Sequence, residues 1–230
     1  MFNMLGNIFI LGDSYSTFEG YIPEGFATYY LNSGPHYLVA HPDEAQPTER
    51  DVHTVEQTWW YPLAKEYGNL ILNCSWSGTT ICNTGYDGCD NSKVSFIARL
   101  EKLLNEGFFD ENKIDTFFLF GGTNDSWSNA PLGEKIHTGH TKEDLYRVFP
   151  AFSYLINLLK TRLPDVKVYC IINTWLKPEI DEYYRSVCED QGVDAIVLHD
   201  IDKICGHPSI KGMRSIKDQI TDFIKKQNLN

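Results

Sequence analysis

Five short apolar runs, separated by segments of helical periodicity, limit what this chain can fold into. The runs are Asn7 to Leu11, Leu70 to Cys74, Ile114 to Phe120, Val166 to Ile172 and Ala195 to Leu198. Runs of this length, rich in Ile, Val, Leu and Phe, suit strands buried on both faces of a parallel sheet. Helical patterns lie between them: Thr58 to Tyr67, Ser92 to Glu106, Leu145 to Leu159, Glu179 to Gln191 and Ser215 to Gln227. In the second, Val94, Ile97, Ala98, Leu100, Leu103 and Leu104 fall mostly along one stripe; in the third, Val148, Phe149, Phe152, Leu155, Ile156 and Leu159 do. Thr141 with Asp144 predicts a cap before the third helix, and Pro150 predicts a kink or a second start. Such βα alternation with right-handed crossovers predicts a three-layer α/β/α sandwich around a five-stranded parallel sheet.

The length, 230 residues, fits one domain spanning 1–230. One stretch breaks the rhythm. Tyr15 to Gln57 is long, polar and dotted with Gly, Pro, Tyr and His. A loop of that length in a compact domain usually has a purpose, and this one leaves the carboxyl end of the first strand, where open α/β sheets place ligands. It reads as a substrate-shaping cap or as an insertion that packs on the core. Net charge is −11, from 20 basic and 31 acidic side chains, so nucleic acid and membrane surfaces are poor partners. No apolar run approaches the ~20 residues of a membrane span. Met1 to Leu11 lacks the basic start of a signal peptide, which reads as cytoplasmic unless a leader was removed. The six cysteines, Cys74, Cys82, Cys89, Cys170, Cys188 and Cys205, are too sparse for a disulfide scaffold. Cys74 and Cys170 read as small core residues, and Cys82 with Cys89, flanking a Gly-rich loop, as a local disulfide or two thiols.

Four segments carry candidate chemistry. Gly12, Asp13 and Ser14 follow the first run, where a serine projects from a strand end beside backbone amides. The second run leads through Asn73 and Ser75 to Gly78, a candidate N–H donor. The third ends in Gly121, Gly122, Thr123, Asn124 and Asp125, where the Asn amide is suited to a developing oxyanion. Cys205, Gly206, His207, Pro208 and Ser209 precede the last helix. Each segment alone is as readily a turn; the four together place a nucleophile, a base and oxyanion donors at one end of a parallel sheet.

With those residues the sequence resembles the SGNH (GDSL-like) hydrolase family. Gly12, Asp13, Ser14 and Ser16 match its first block, Gly78 its second, Gly122 to Asp125 its third, and His207, Pro208 and Gly212 its last. The resemblance implies a flavodoxin-like SGNH hydrolase fold and a serine esterase or deacylase needing no cofactor or metal. Ser14 would be the nucleophile and His207 the base. The Ser14 N–H, the Gly78 N–H and the Asn124 side chain would form the oxyanion hole. One departure stands out. Members usually carry an aspartate three residues before the histidine, and here that residue is Ile204. Asp202, Asp200, or a dyad using a backbone carbonyl are the open alternatives.

His36, His41 and His53 share the insertion, but their spacing matches no metal motif, so they are expected not to be ligands. Trp59 and Trp60 read as core, whereas Trp76 and Trp127, in or beside the motif loops, read as substrate-binding. The expected substrate is a small-molecule or carbohydrate ester, an O-acetylated sugar before a lysophospholipid or thioester. The rivals are a non-catalytic binding module on the same fold and a mononucleotide binder. Against the latter, Gly12 to Thr17 holds one glycine, and Asp13 would repel phosphate.

Overall fold

The structure is a computed structural model that describes residues 4–32 and 50–227. Its centre is a five-stranded sheet in the order β2-β1-β3-β4-β5, parallel throughout. The strands are β1 (Gly6–Gly12), β2 (Gly68–Ser75), β3 (Thr116–Phe120), β4 (Lys167–Ile172) and β5 (Asp194–Val197). All five apolar runs are strands, as their composition predicts. The order turns back between β1 and β3, and such a reversal leaves a crevice at the strands' carboxyl ends.

Alternation within the central strands divides the core between two faces. Phe9, Leu11, Phe117, Leu119, Cys170 and Ile172 point to one side. There they meet α2 (Phe96–Asn105), α5 (Val148–Arg162) and α6 (Pro178–Asp190). Ile8, Ile10, Phe118, Phe120 and Ile171 point to the other, against α1 (Trp60–Tyr67) and α7 (Ile210–Gln227). Two further helices are short: α3 (Phe108–Glu111) and α4 (Thr123–Trp127). Trp59 and Trp60 are core residues, and Cys74 and Cys170 are buried.

Local detail departs from expectation in four places. The helix expected from Leu145 begins at Val148. Thr141 and Asp144 do bond to each other, but around a separate single turn at Asp144–Tyr146. Pro150 therefore lies in the first turn of α5, where its missing N–H costs nothing, rather than at a kink. The last helix begins five residues earlier than expected, at Ile210. Ser209 caps it, its hydroxyl accepting from the Gly212 N–H at 3.1 Å. Two short antiparallel strands, β6 (Lys203–Ile204) and β7 (His207–Pro208), fill the loop before it. Finally, Cys82 and Cys89 are both free thiols. Cys82 is buried and donates to the Thr84 carbonyl, while Cys89 faces Asn91 at the surface, so each already has a partner.

Candidate active site

Ser14 opens a single helical turn, Ser14–Ser16, at the end of β1. Asp13 caps that turn, its carboxylate accepting from the Tyr15 N–H at 3.1 Å. His207 arrives from the far end of the chain on β7. The Cys205–Gly206 turn joining β6 to β7 has φ values of 48° and 80°, the paired positive φ of a two-residue type I′ hairpin. Gly206 meets that demand without strain, and a Cβ there would also strike the Trp127 ring at 2.8 Å. Cys205 bears the strain. The turn brings His207 Nε2 to 2.9 Å from Ser14 Oγ, across 193 residues of sequence.

Among the described residues His207 has no carboxylate partner. Its Nδ1 contacts the Cys205 carbonyl at 3.3 Å. Asp202, the leading aspartate expectation, is instead the acceptor for the Ser209 hydroxyl at the start of α7, and Asp200 faces exposed His199. The expectation of an Asp202–His207 pair is thereby corrected: β6 directs Asp202 to the helix cap, and the hairpin turn offers the imidazole a carbonyl.

Aromatic rings pack around the imidazole. Tyr29, from the long insertion, lies flat on His207 with centroids 3.5 Å apart and planes 9° from parallel. Arg50 covers the Tyr29 ring, its Cζ 4.1 Å from the centroid, and donates to the Tyr29 carbonyl at 2.9 Å. Trp127 meets His207 edge-on at 5.8 Å. Two more tyrosines pin the hairpin: Tyr15 OH donates to the Gly206 carbonyl, and Tyr30 OH to the Pro208 carbonyl at 2.8 Å. Burial first, and then the nearby Arg50 and Lys203 cations, push His207 down to about 4. It is neutral at pH 7, as a proton acceptor must be.

The expected oxyanion donors sit on the neighbouring loops. Gly78 is exposed with φ +79°, in open space. The Asn124 side chain is held at both ends: its amide nitrogen donates to the Thr79 carbonyl at 2.9 Å, and its oxygen accepts from Tyr86 OH at 2.8 Å. One amide N–H remains for a ligand. Asp125, next along, ties this loop to its neighbour by accepting the Ile81 and Cys82 N–H groups at 2.9 and 3.0 Å.

Arg99 carries no motif that singles it out in the sequence. It is buried on α2 behind the strand ends. One guanidinium donates to the Gly12 carbonyl at 3.2 Å, to the Cys74 carbonyl and to Thr79 Oγ1 at 3.0 Å. It thus joins the strand end that leads into the Ser14 turn, the end of β2 and the loop that fixes Asn124. No carboxylate contacts it among the described residues, and burial lowers its pKa to about 10. Asp13 is fully buried with one oxygen unpartnered, and burial raises it to about 7.

Of the tryptophans, Trp76 is half-buried and stacked on Phe26 at 4.1 Å, so its face belongs to the insertion. Trp127 is partly open. Trp175, which the sequence reading passed over, is 66% exposed on the loop after β4, with φ +66°. Among the described residues no group of three or more His, Cys, Asp or Glu is placed to hold a metal, and no helix is long and apolar enough to cross a membrane. His53 is described; His36 and His41 lie outside the described residues.

Comparison with known proteins agrees with this architecture. A crystal structure of a protein from Bacteroides ovatus, described as a GDSL-like lipase, is 45% identical, with 96% of this chain and 99% of that one covered and a TM-score of 0.84. A second, from Bacteroides uniformis, is 40% identical, with 96% of each chain covered and a TM-score of 0.84. A family two carbohydrate esterase from Clostridium thermocellum, solved with cellohexaose, shares the fold at 17% identity, 97% and 64% coverage and a TM-score of 0.57. No curated protein matches. The GDSL-like lipase/acylhydrolase family matches residues 6–224, nearly the whole chain, and with the motif loops at the carboxyl ends of the strands, the chain belongs to that family.

Proposed function

We propose that the chain is a serine esterase that cleaves a carboxylic ester through an acyl-Ser14 intermediate. The contact of Ser14 Oγ with a neutral imidazole, 2.9 Å away at His207 Nε2, carries the reading. In the first half-reaction His207 takes the Ser14 proton as Oγ attacks the ester carbonyl, then gives it to the departing alkoxide. In the second, a water attacks the acyl carbon, His207 takes its proton, and Ser14 Oγ leaves as the alcohol. The Ser14 N–H, the Gly78 N–H and the Asn124 amide receive the oxyanion in both.

The base works as a dyad. In a triad the carboxylate fixes the tautomer and stabilises the imidazolium. Here the Cys205 carbonyl does the first by accepting the Nδ1 proton, and the flat contact with Tyr29 holds the ring plane. The insertion therefore serves as the cap of the site rather than as a bystander. The leaving alcohol is a carbohydrate hydroxyl and the acyl group is small, in line with the open indoles of Trp127 and Trp175. The carbohydrate esterase neighbour lends support, being a fold relative solved with a glucan oligosaccharide.

A fluorophosphonate probe tests the core of this reading. Ser14 should be the residue modified, Ser14→Ala should resist labelling, and short p-nitrophenyl esters should be turned over. A native protein that neither labels nor hydrolyses them would refute it.

A further inference from the structure

The surroundings of Lys203 have no part in the acyl-transfer chemistry above. Lys203 lies on β6, directly across from Pro208 and beside His207 in the hairpin. Its ammonium sits over two rings, 4.2 Å from the Trp175 centroid and 5.3 Å from that of Tyr15, the neighbour of Ser14. It donates one hydrogen bond, to the Thr174 carbonyl at 3.2 Å. An ammonium has three donors, so two N–H groups are unspent, and no carboxylate pairs with it among the described residues. Trp175 presents a largely open indole, on a residue held at φ +66°. A non-glycine residue in left-handed backbone is strained, and such outliers gather at ligand sites.

We infer that Trp175 and Lys203 form the alcohol-side subsite for a sugar ring bearing a carboxylate, so that the preferred substrate is an acylated uronic acid. The inference rests on the esterase reading and names its substrate class. The indole face stacks on the ring, and the ammonium takes the carboxylate. One ammonium with two free N–H groups matches a single carboxylate charge; a phosphate dianion calls for more donors, usually in a guanidinium fork. The site's charge balance points the same way. Among the described residues the charged groups acting on His207 are Arg50 and Lys203, both cations, and together with burial they oppose the imidazolium that must form during acyl transfer. Asp13 acts on Lys203 from beside Ser14, but burial raises its carboxyl to about 7, and a bound carboxylate would add an anion beside the two cations.

The test compares three ligands of nearly one shape: an O-acetylated methyl glucuronide, its neutral carboxymethyl ester, and the acetylated methyl glucoside. Affinity is read in Ser14→Ala by intrinsic tryptophan fluorescence, and kcat/KM in the native chain. The carboxylate form should lead both neutral forms by about tenfold or more in each assay, a difference worth ~1.4 kcal/mol. Lys203→Met should bring that ratio close to one, and Lys203→Arg should keep most of it. Trp175→Ala, at an exposed position that tolerates truncation, should weaken all three sugars and remove most of the fluorescence response. Equal affinity for charged and neutral sugars, or a ratio that survives in Lys203→Met, overturns the inference. Failure of the esterase reading looks different: the native chain is inert towards p-nitrophenyl acetate, whatever the affinity ratio in Ser14→Ala.

Discussion

His207 works under conditions an ordinary histidine does not meet, and its pH response follows from them. Burial and two cations hold its pKa near 4, below the usual 6.5. A base must be unprotonated, so kcat/KM rises with pH through that pKa and is flat above it. Activity at pH 5.5 should therefore stay close to its value at pH 7. A histidine at 6.5 would be about nine-tenths protonated at pH 5.5 and the rate would fall roughly tenfold. A pH profile on a neutral ester decides between the two, and an inflection near 6.5 would mean the ring is more solvated than it is here. Arg99 allows a second prediction. Arg99→Lys keeps a cation but cannot reach Gly12, Cys74 and Thr79 at once. The variant should lose about tenfold or more in kcat with KM within about twofold, because the oxyanion donors are misaligned while ground-state contacts persist. Equal losses in kcat and protein stability with a large rise in KM would assign Arg99 to the core alone. Asn124→Ala removes a donor outright and should cost about 10²–10³ in kcat.

Elements decide which of these features the sequence could reveal. The strands were legible because a strand buried on both faces has to be hydrophobic along its buried length, and residues 8–11 of β1, 117–120 of β3 and 168–172 of β4 are. Ser14, Gly78, Asn124 and His207 were legible because each follows a strand or precedes a helix in a short block whose order is itself informative. For the partner of His207 the sequence leaves Asp202, Asp200 and a backbone carbonyl open, and the structure places the Cys205 carbonyl there. Counting back from His207 to Asp202 assumes an unbroken loop, whereas a two-residue hairpin turns the chain back on itself and sends Asp202 to the α7 cap. Tyr29 and Arg99 were hidden for a related reason. Their roles come from elements 178 and 87 residues away from the residues they serve, and nothing in a lone Tyr or Arg codon marks such a contact. The hairpin's dependence on the insertion can be measured. Tyr30→Phe deletes the buried hydrogen bond to the Pro208 carbonyl. Leaving that acceptor unpaired should cost about 1–3 kcal/mol, visible as a lower urea midpoint with unchanged slope. An unaltered midpoint would mean that β7 holds His207 without the cap.

For the molecule as a whole, charge and architecture bear on the word lipase in the family's description. A lipase acting at an interface needs a surface that anionic or zwitterionic headgroups accept. This chain carries 31 acidic against 20 basic side chains, so an anionic bilayer repels it over about a Debye length, roughly 10 Å at 0.1 M salt. The open aromatics near the dyad are Trp127, Trp175 and Tyr86. Lys203, Asn124 and a loop carbonyl adjoin them, and on the proposed reading polar groups beside aromatic faces suit a sugar ring. Two outcomes follow. The protein should stay in the supernatant when vesicles of phosphatidylserine and phosphatidylcholine are sedimented at 0.1 M salt. Its rate on p-nitrophenyl esters should fall as the acyl chain lengthens from acetate to octanoate and show no rise as the ester passes its critical micelle concentration. Co-sedimentation with the vesicles, or a jump in rate at the micellar threshold, would turn the proposal from a sugar ester towards a lipid, because either requires an apolar docking face.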